Sequence, residues 1–338
     1  MKMTDERKQK GLRWGIIGCG DVTEVKSGPA YQQTDDFELV AVMRRNLEKA
    51  QNYAKRHGVP KVFADAEALI SDSAVDAVYI ATPPDSHREY ALKVAAAGKP
   101  CCIEKPMAPT HADCVEICAA FETAGVPLFT AFYRRTLPRF VQVKKWLEEN
   151  RIGPLRHVSW TCCLPASELD RSGEYNWRTD ATIAPAGHFD DLACHGLDLL
   201  AYYLGDFETV QGVSLNQQDL YSAKDAVAAS WVHSTGITGT GTWNFGSAAD
   251  MEQVEIFGEK GTITFSVFKE APVRLTCGNE VEELFIAHPQ HVQQPHVEAL
   301  RDDLLNGIPH PSAGRAGIHA AWVMDKILGK IQSTGIFN

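Results

Sequence analysis

Residues 12–23 read Leu12-Arg13-Trp14-Gly15-Ile16-Ile17-Gly18-Cys19-Gly20-Asp21-Val22-Thr23, and this stretch decides the architecture. Its first six residues form an apolar run that reads as a strand. Gly18-Cys19-Gly20 is a tight turn, and a helix opens behind it. Residues 38–43 (ELVAVM), 74–81 (AVDAVYIA), 101–103 (CCI) and 128–130 (LFT) read as further buried strands. Helical patterns over 46–57, 86–97 and 110–124 stand between them. Short apolar runs alternating with helices of ten or more residues predict βαβ units and a parallel sheet. The expected fold class is α/β, with a doubly wound parallel sheet in an N-terminal domain over 11–132.

Outward from that half, a linking helix over 137–150 ends at the breaker Gly153-Pro154, and the texture changes. Residues 156–163, 210–215, 226–233, 239–245, 252–257 and 262–267 read as strands with few helices between them, and Gly258-Glu259-Lys260-Gly261 reads as a hairpin connection. Consecutive strands joined by tight turns predict a large, mostly antiparallel open sheet. A long helix over 189–204 interrupts it, and helices over 296–306 and 314–331 follow. The expected second domain is an α/β unit over 133–338, with the last helix able to pack on either domain.

Composition excludes several classes. The 338 residues carry 44% hydrophobic and 22% charged side chains, enough apolar material for two buried cores. A formal net charge of -10 argues against a nucleic-acid partner, because phosphate neutralisation needs clustered Lys and Arg. The start, 1–10, is polar without an apolar segment, so it reads as a short leader and not a signal peptide. No run approaches the length of a membrane helix. The nine cysteines include no C-x-x-C pair, and several lie inside apolar runs where Cys acts as a small core residue. A reducing cytoplasm without membrane association is the expected setting.

The glycine turn is in the context a dinucleotide fingerprint requires, after a strand and opening a helix. Gly18 permits the turn, and Gly20 lets the backbone approach a pyrophosphate, whose charge would meet the helix end carrying Asp21 and Val22. The third fingerprint position is Thr23 instead of Gly or Ala, which predicts a slightly wider spacing of helix and strand. A Rossmann-type domain usually carries an acid at the end of its second strand for the ribose hydroxyls of NAD. Here that position is Arg44, followed by Arg45, and guanidinium groups suit a 2′-phosphate. NADP is the expected cofactor, with NAD as the alternative.

Two further groups carry chemistry. Glu104-Lys105-Pro106 ends an apolar strand, so Lys105 should stand at the carboxyl edge of the sheet, where open α/β sheets bind ligands. Asp191, His195 and Asp198 are spaced i, i+4, i+7 and share one face of the mid-chain helix, with the titratable histidine at the centre. His188, Asp191, Cys194 and His195 match no recognised ligand spacing, so no metal is expected.

Taken together, the glycine turn, Thr82-Pro83-Pro84 with His87, Glu104-Lys105-Pro106 and Asp191-x-x-x-His195-x-x-Asp198 resemble the Gfo/Idh/MocA family, which includes glucose–fructose oxidoreductase and inositol 2-dehydrogenase. Trp177-Arg178 before Gly187 and Phe257-Gly258-Glu259-Lys260-Gly261 fit the same pattern. The resemblance implies a dehydrogenase acting on the CH–OH groups of sugars, cyclitols or related polyols. It implies catalytic roles for Lys105, Asp191 and His195, and a cofactor site that includes Cys19, Thr82, Pro83, Pro84, His87 and Glu104. Tyr133, Arg134, Trp177, Arg178 and His188 are the expected substrate contacts. The family's large sheet implies a homodimer or homotetramer. Family members often show a glycine run before the aspartate, whereas 186–190 reads Ala-Gly-His-Phe-Asp, so His188 and Asp190 are expected to reshape the pocket. Two other readings keep the nucleotide site: a glycosidase that uses bound NAD for transient oxidation, and a non-enzymatic nucleotide sensor.

Overall fold

The computed structural model describes residues 11–331, so the predicted leader over 1–10 lies outside the described residues. Six parallel strands form the first sheet: β1 (Leu12–Ile17), β2 (Phe37–Met43), β3 (Lys61–Phe63), β4 (Ala77–Ile80), β5 (Cys101–Ile103) and β6 (Leu128–Thr130). Their order is β3-β2-β1-β4-β5-β6, the doubly wound arrangement in which the crossover direction reverses beside β1. The strands are buried on both faces, which is why they read as continuous apolar runs. Trp14 of β1 packs against Tyr31 at 4.8 Å between ring centroids, and Tyr31 against Tyr79 of β4 at 4.9 Å.

Register does the positioning. Ile17 pairs with both Met43 and Ile80, Ile80 with Ile103, and Ile103 with Thr130. Those five residues form one line across the sheet. The residues that follow them, Gly18, Arg44, Ala81-Thr82, Glu104-Lys105 and Ala131, therefore share the carboxyl edge.

The described residues divide into two compact units, 11–137 with 289–318, and 138–288 with 319–331. Residues 289–318, read from the sequence as part of the second domain, group with the first. The reason is backbone pairing: the Gly314 N–H donates to Leu128 O at 2.8 Å, and the Thr130 N–H to Ser312 O at 3.2 Å, so the segment seals the β6 edge. The helix Gln294–Arg301 and the wide π-type turn Asp302–Asn306 belong to this segment. The last helix, Ala316–Ile327, begins in the first unit and ends in the second.

The second unit is built on an eight-stranded sheet of β7 (Leu155–Cys163), β8 (Phe207–Leu215), β9 (Ala226–His233), β10 (Thr238–Asn244), β11 (Met251–Gly258), β12 (Gly261–Phe265), β13 (Val273–Cys277) and β14 (Glu280–Leu284). Their order is β14-β13-β12-β11-β7-β10-β9-β8, and each pairing among the described residues is antiparallel except β10 with β7. The sequence reading missed β3, β13 and β14. Lys61-Val62-Phe63 is a three-residue edge with no full alternation, and β14 (EVEEL) carries the acidic side chains that protect an edge from further pairing.

In β10 threonine and glycine alternate. Thr238, Thr240 and Thr242 face outward, while Gly239, Gly241 and Trp243 face inward. A Cβ on Gly241 would lie 2.2 Å from the ring of fully buried Trp243. Gly241→Ala should therefore lower stability by about 2 kcal/mol through overpacking. Thr240→Ala, on the exposed face, should change it by less than about 0.5 kcal/mol. Paired calorimetric melts measure both, and equal melting temperatures for the two variants would contradict the packing argument.

Candidate active site

At the centre of the carboxyl edge the chain leaves β1 through Gly18, whose φ is +94°. A Cβ there would lie 2.7 Å from Thr82 Cγ2 and 2.8 Å from Thr82 N, so both conformation and space demand glycine. The Gly18 N–H donates to Met43 O at 2.8 Å, tying the turn to β2. At Gly20, by contrast, a Cβ would meet only Gly18 O, at 3.8 Å. The backbone there is open, as a close-approaching phosphate requires. Asp21 and Val22 begin a helix of five residues, Asp21–Val25. Thr23 is fully buried within it, and its hydroxyl donates to Gly20 O at 2.8 Å. The tightest approach falls instead at Gly28, where a Cβ would lie 2.2 Å from Thr23 O and 2.3 Å from the Tyr53 hydroxyl. The sequence reading missed Gly28, because it lies beyond the fingerprint spacing.

Arg44 follows β2 and is half-buried, and its Nη1 donates to Cys19 O at 3.2 Å. Its guanidinium is thereby held over the glycine turn. Arg45 is exposed. Burial pushes the Cys19 thiol up to about 11, so it is unreactive near neutral pH. Close by, Glu24 accepts two bonds from Arg56, at 2.7 and 2.6 Å, and one from His57 at 2.8 Å. The Arg56 hydrogen bonds, together with His57 and against the effect of burial, hold the Glu24 carboxyl down at about 2.

His87 is fully buried. Its Nε2 lies 2.7 Å from Thr82 O, and its Nδ1 lies 3.0 Å from Pro106 O and 3.2 Å from Met107 O. It braces the loop after β4 (Thr82-Pro83-Pro84) against the loop after β5, and offers no surface for a cofactor to touch. Glu104 is 7% exposed, while Lys105 beside it is half-buried. The Glu104 carboxylate accepts from the Tyr79 hydroxyl at 2.6 Å, from Gln293 Nε2 at 2.7 Å and from the Lys105 N–H at 3.1 Å. Tyr79 and Gln293 were not expected at this edge; Gln293 lies 189 residues away in sequence, and no local pattern points to it. Beyond β6, Tyr133 is half-buried, and buried Arg134 donates to the Tyr133 hydroxyl at 2.9 Å.

The second unit carries the other candidates. The helix His188–Leu204 holds Asp191, His195 and Asp198 on one stripe that grows more buried inward, with His195 5% and Asp198 2% exposed. Gly196, the residue after His195, lies on Trp160 of β7, where a Cβ would meet the ring at 2.3 Å. That contact fixes the helix on the sheet. Arg178 Nε donates to Asp191 Oδ2 at 2.8 Å, and its guanidinium lies 4.5 Å from the centre of the Trp177 ring. Gly187, the one glycine kept from the family's run, has φ +62°, and a Cβ there would lie 2.6 Å from Lys224 O. Asp190 accepts the Ala186 N–H at 2.7 Å and so closes that turn, while burial raises its carboxyl. His188 Nε2 lies 3.0 Å from both oxygens of Asp170, a partner the sequence did not suggest. Burial alone would raise the Asp170 carboxyl, but the Ser167 and His188 interactions bring it below the usual range.

Residues 12–132 match the oxidoreductase family with the NAD-binding Rossmann fold, and residues 140–264 match the GFO/IDH/MocA C-terminal domain. The chain belongs to the Gfo/Idh/MocA family. As a member it is an NAD(P)-dependent oxidoreductase. Oxidoreductase P35 of Formosa agariphila is 36% identical over 321 residues, which are 94% of this chain and 98% of that protein. A scyllo-inositol 2-dehydrogenase (NADP(+)) of Bacillus subtilis is 33% identical over 164 residues, about half of each chain at 48% and 49%. The solved structure of a levoglucosan dehydrogenase with NADH and L-sorbose superposes with a TM-score of 0.85 over 94% of this chain and 96% of that one; at 22% identity this likeness concerns the fold. Among the described residues, no helix is long and apolar enough to cross a membrane.

Three buried histidines give the first unit a defined acid response. Burial lowers His87 and His296, and lowers His310 from 6.5 to about 4. Each folded-state value lies below its unfolded value, so the unfolded chain binds the extra proton first. Their stabilisation is complete above about pH 6.5 and is lost as pH falls toward 4. The expected melting temperature declines through that window, and more shallowly in His310→Asn, as a calorimetric pH series would record; parallel slopes for the two proteins would count against it.

Proposed function

We propose that the chain oxidises or reduces a CH–OH carbon of a sugar, cyclitol or related polyol, with NADP as the preferred cofactor. The observation that carries this reading is the shared carboxyl edge: the Gly18 turn, Arg44 and Lys105 follow strand ends that stand in register. When bound, the nicotinamide supplies the two-electron chemistry, exchanging a hydride with the substrate carbon. Gly18, Cys19 and Gly20 would hold the pyrophosphate, with Asp21 and Val22 at the helix end facing it.

In this reading His195 takes or returns the hydroxyl proton, which suits an imidazole working near neutral pH. Lys105 takes the role of a donor to a substrate oxygen, and Asp191, itself held by Arg178, orients the acid–base group or a neighbouring hydroxyl. Tyr133, Arg134, Trp177 and His188 would surround the polyol, the histidine fixed by its bond to Asp170. The polyol class is supported by the names of the relatives, scyllo-inositol dehydrogenase and levoglucosan dehydrogenase, which act on such molecules. Self-association into a homodimer or homotetramer through the second sheet belongs to the same proposal. It is supported by the threonine-lined outer face of β10 and by Val213 and Leu215 of β8, which are exposed.

The catalytic assignment is tested by Lys105→Ala and His195→Ala, screened on inositols and keto-sugars. Turnover should drop by at least about a hundredfold in each, consistent with the loss of a general acid–base group. Cofactor affinity should stay within about threefold of the parent in His195→Ala, and unchanged turnover in both variants would sink the assignment.

Cofactor choice is tested separately. Arg44→Ala should weaken NADP about tenfold or more, the scale of a lost charge-assisted phosphate contact, and leave NAD within about twofold. Equal losses for both nucleotides in a binding titration would remove Arg44 from cofactor discrimination.

A further inference from the structure

Glu104 sits at the end of β5 with a carboxylate that only accepts. Its partners are the Tyr79 hydroxyl at 2.6 Å, the Gln293 amide at 2.7 Å and the Lys105 backbone N–H at 3.1 Å. A carboxyl group that meets donors at every bond is behaving as the ionised form, and a hydroxyl at 2.6 Å is within the range of charge-assisted bonds. All three donors are neutral groups. Tyr79 is fully buried and Gln293 is 1% exposed, so neither is a mobile surface contact.

Gln293 shows what the arrangement costs. Its amide nitrogen serves Glu104, while its Oε1 is buried without a hydrogen-bond partner among the described residues. An orphaned buried carbonyl is unfavourable. A hydrophobic residue of the same shape would avoid that penalty, but it could not steady the carboxylate. The groups behind are kept neutral as well: burial pushes the Cys102 thiol up, and His296, whose Nε2 lies 3.5 Å from the Cys102 sulfur, is held well below its ordinary value.

We infer that Tyr79 and Gln293 are positioning residues that hold Glu104 as a fixed negative charge at the nicotinamide edge, and that this charge makes the protein favour the oxidised dinucleotide over the reduced one. The oxidised nicotinamide ring is a cation and the reduced ring is neutral, so a nearby anion stabilises one form selectively. The inference rests on the reading that the nicotinamide lies beside Lys105. A single charge–charge interaction across several ångströms of partly hydrated protein is worth about a factor of ten in relative affinity.

The test measures dissociation constants of the full chain for NADP+ and NADPH, and for NAD+ and NADH, by calorimetric titration. In Glu104→Gln the preference for the oxidised member should fall about tenfold, through weaker binding of the oxidised form, with the reduced form within twofold. Tyr79→Phe and Gln293→Met keep the carboxylate but loosen it, and should lower the same ratio about threefold without changing affinity for the reduced form. Should Glu104→Gln fail to fold, the ratio in these two variants decides. A merely structural role would weaken both forms equally, and that result, or an unchanged ratio, overturns the inference while leaving the site reading in place. Failure of the parent protein to bind any of the four nucleotides overturns both.

Discussion

The chain must leave β1 in a direction that a side chain would block. At Gly18 the backbone takes a φ of +94°, and the Thr82 backbone lies where a Cβ would stand. Because that turn is tied to Met43 on one side and pressed on Thr82 on the other, the loops after β1, β2 and β4 are fixed together. His87 carries the same rigidity to the loop after β5 by bridging the carbonyls of Thr82 and Pro106. The carboxyl edge is thus a set of loops that cannot move independently. Such an edge is pre-organised for a ligand that spans it, since little conformational freedom is left to lose on binding.

Each unit buries a carboxylate among neutral donors: Glu104 in the first, and in the second Glu252, which accepts from Trp160 Nε1 and from the Val267 and Phe268 N–H groups. In the first, the Glu104 carboxylate beneath the edge meets the Tyr79 hydroxyl, the Gln293 amide and the Lys105 backbone N–H. The second also carries pairs, Arg178 with Asp191 and His188 with Asp170, strung along and beside one helix. Low-dielectric interiors penalise an unmatched charge, and these are two different ways of meeting that penalty. The first leaves one charge available to act at a distance. The second leaves histidines held in defined orientations.

Much of this was legible in the residue pattern, and the failures have physical reasons. The buried parallel strands announce themselves as apolar runs, and the glycine turn and Arg44 lie within a few residues of them. The Asp191–His195–Asp198 stripe follows from helical periodicity alone. By contrast, β3 and β14 are edges, where charge replaces apolar alternation and the signal is lost. His87 looked like a cofactor contact because its motif sits at the edge, but only packing reveals that its ring is wholly enclosed. Gln293, Tyr79 and Asp170 gain their roles through contacts distant in sequence, which no local spacing encodes.

The segment 289–318 has a consequence for how the protein is made. It supplies the strand-like cover on β6 and the glutamine that steadies Glu104, yet it is synthesised after nearly all of the second unit. A ribosome that has released 137 residues has released an incomplete first unit, with the β6 edge bare and a carboxylate short of a donor. Folding in order of synthesis, the usual habit of multidomain chains, is therefore denied to this half of the molecule. The second unit's sheet can form first, and the nucleotide-binding half closes only once residues 289–318 have been made. Until then the unpaired β6 edge is open to pairing with another chain.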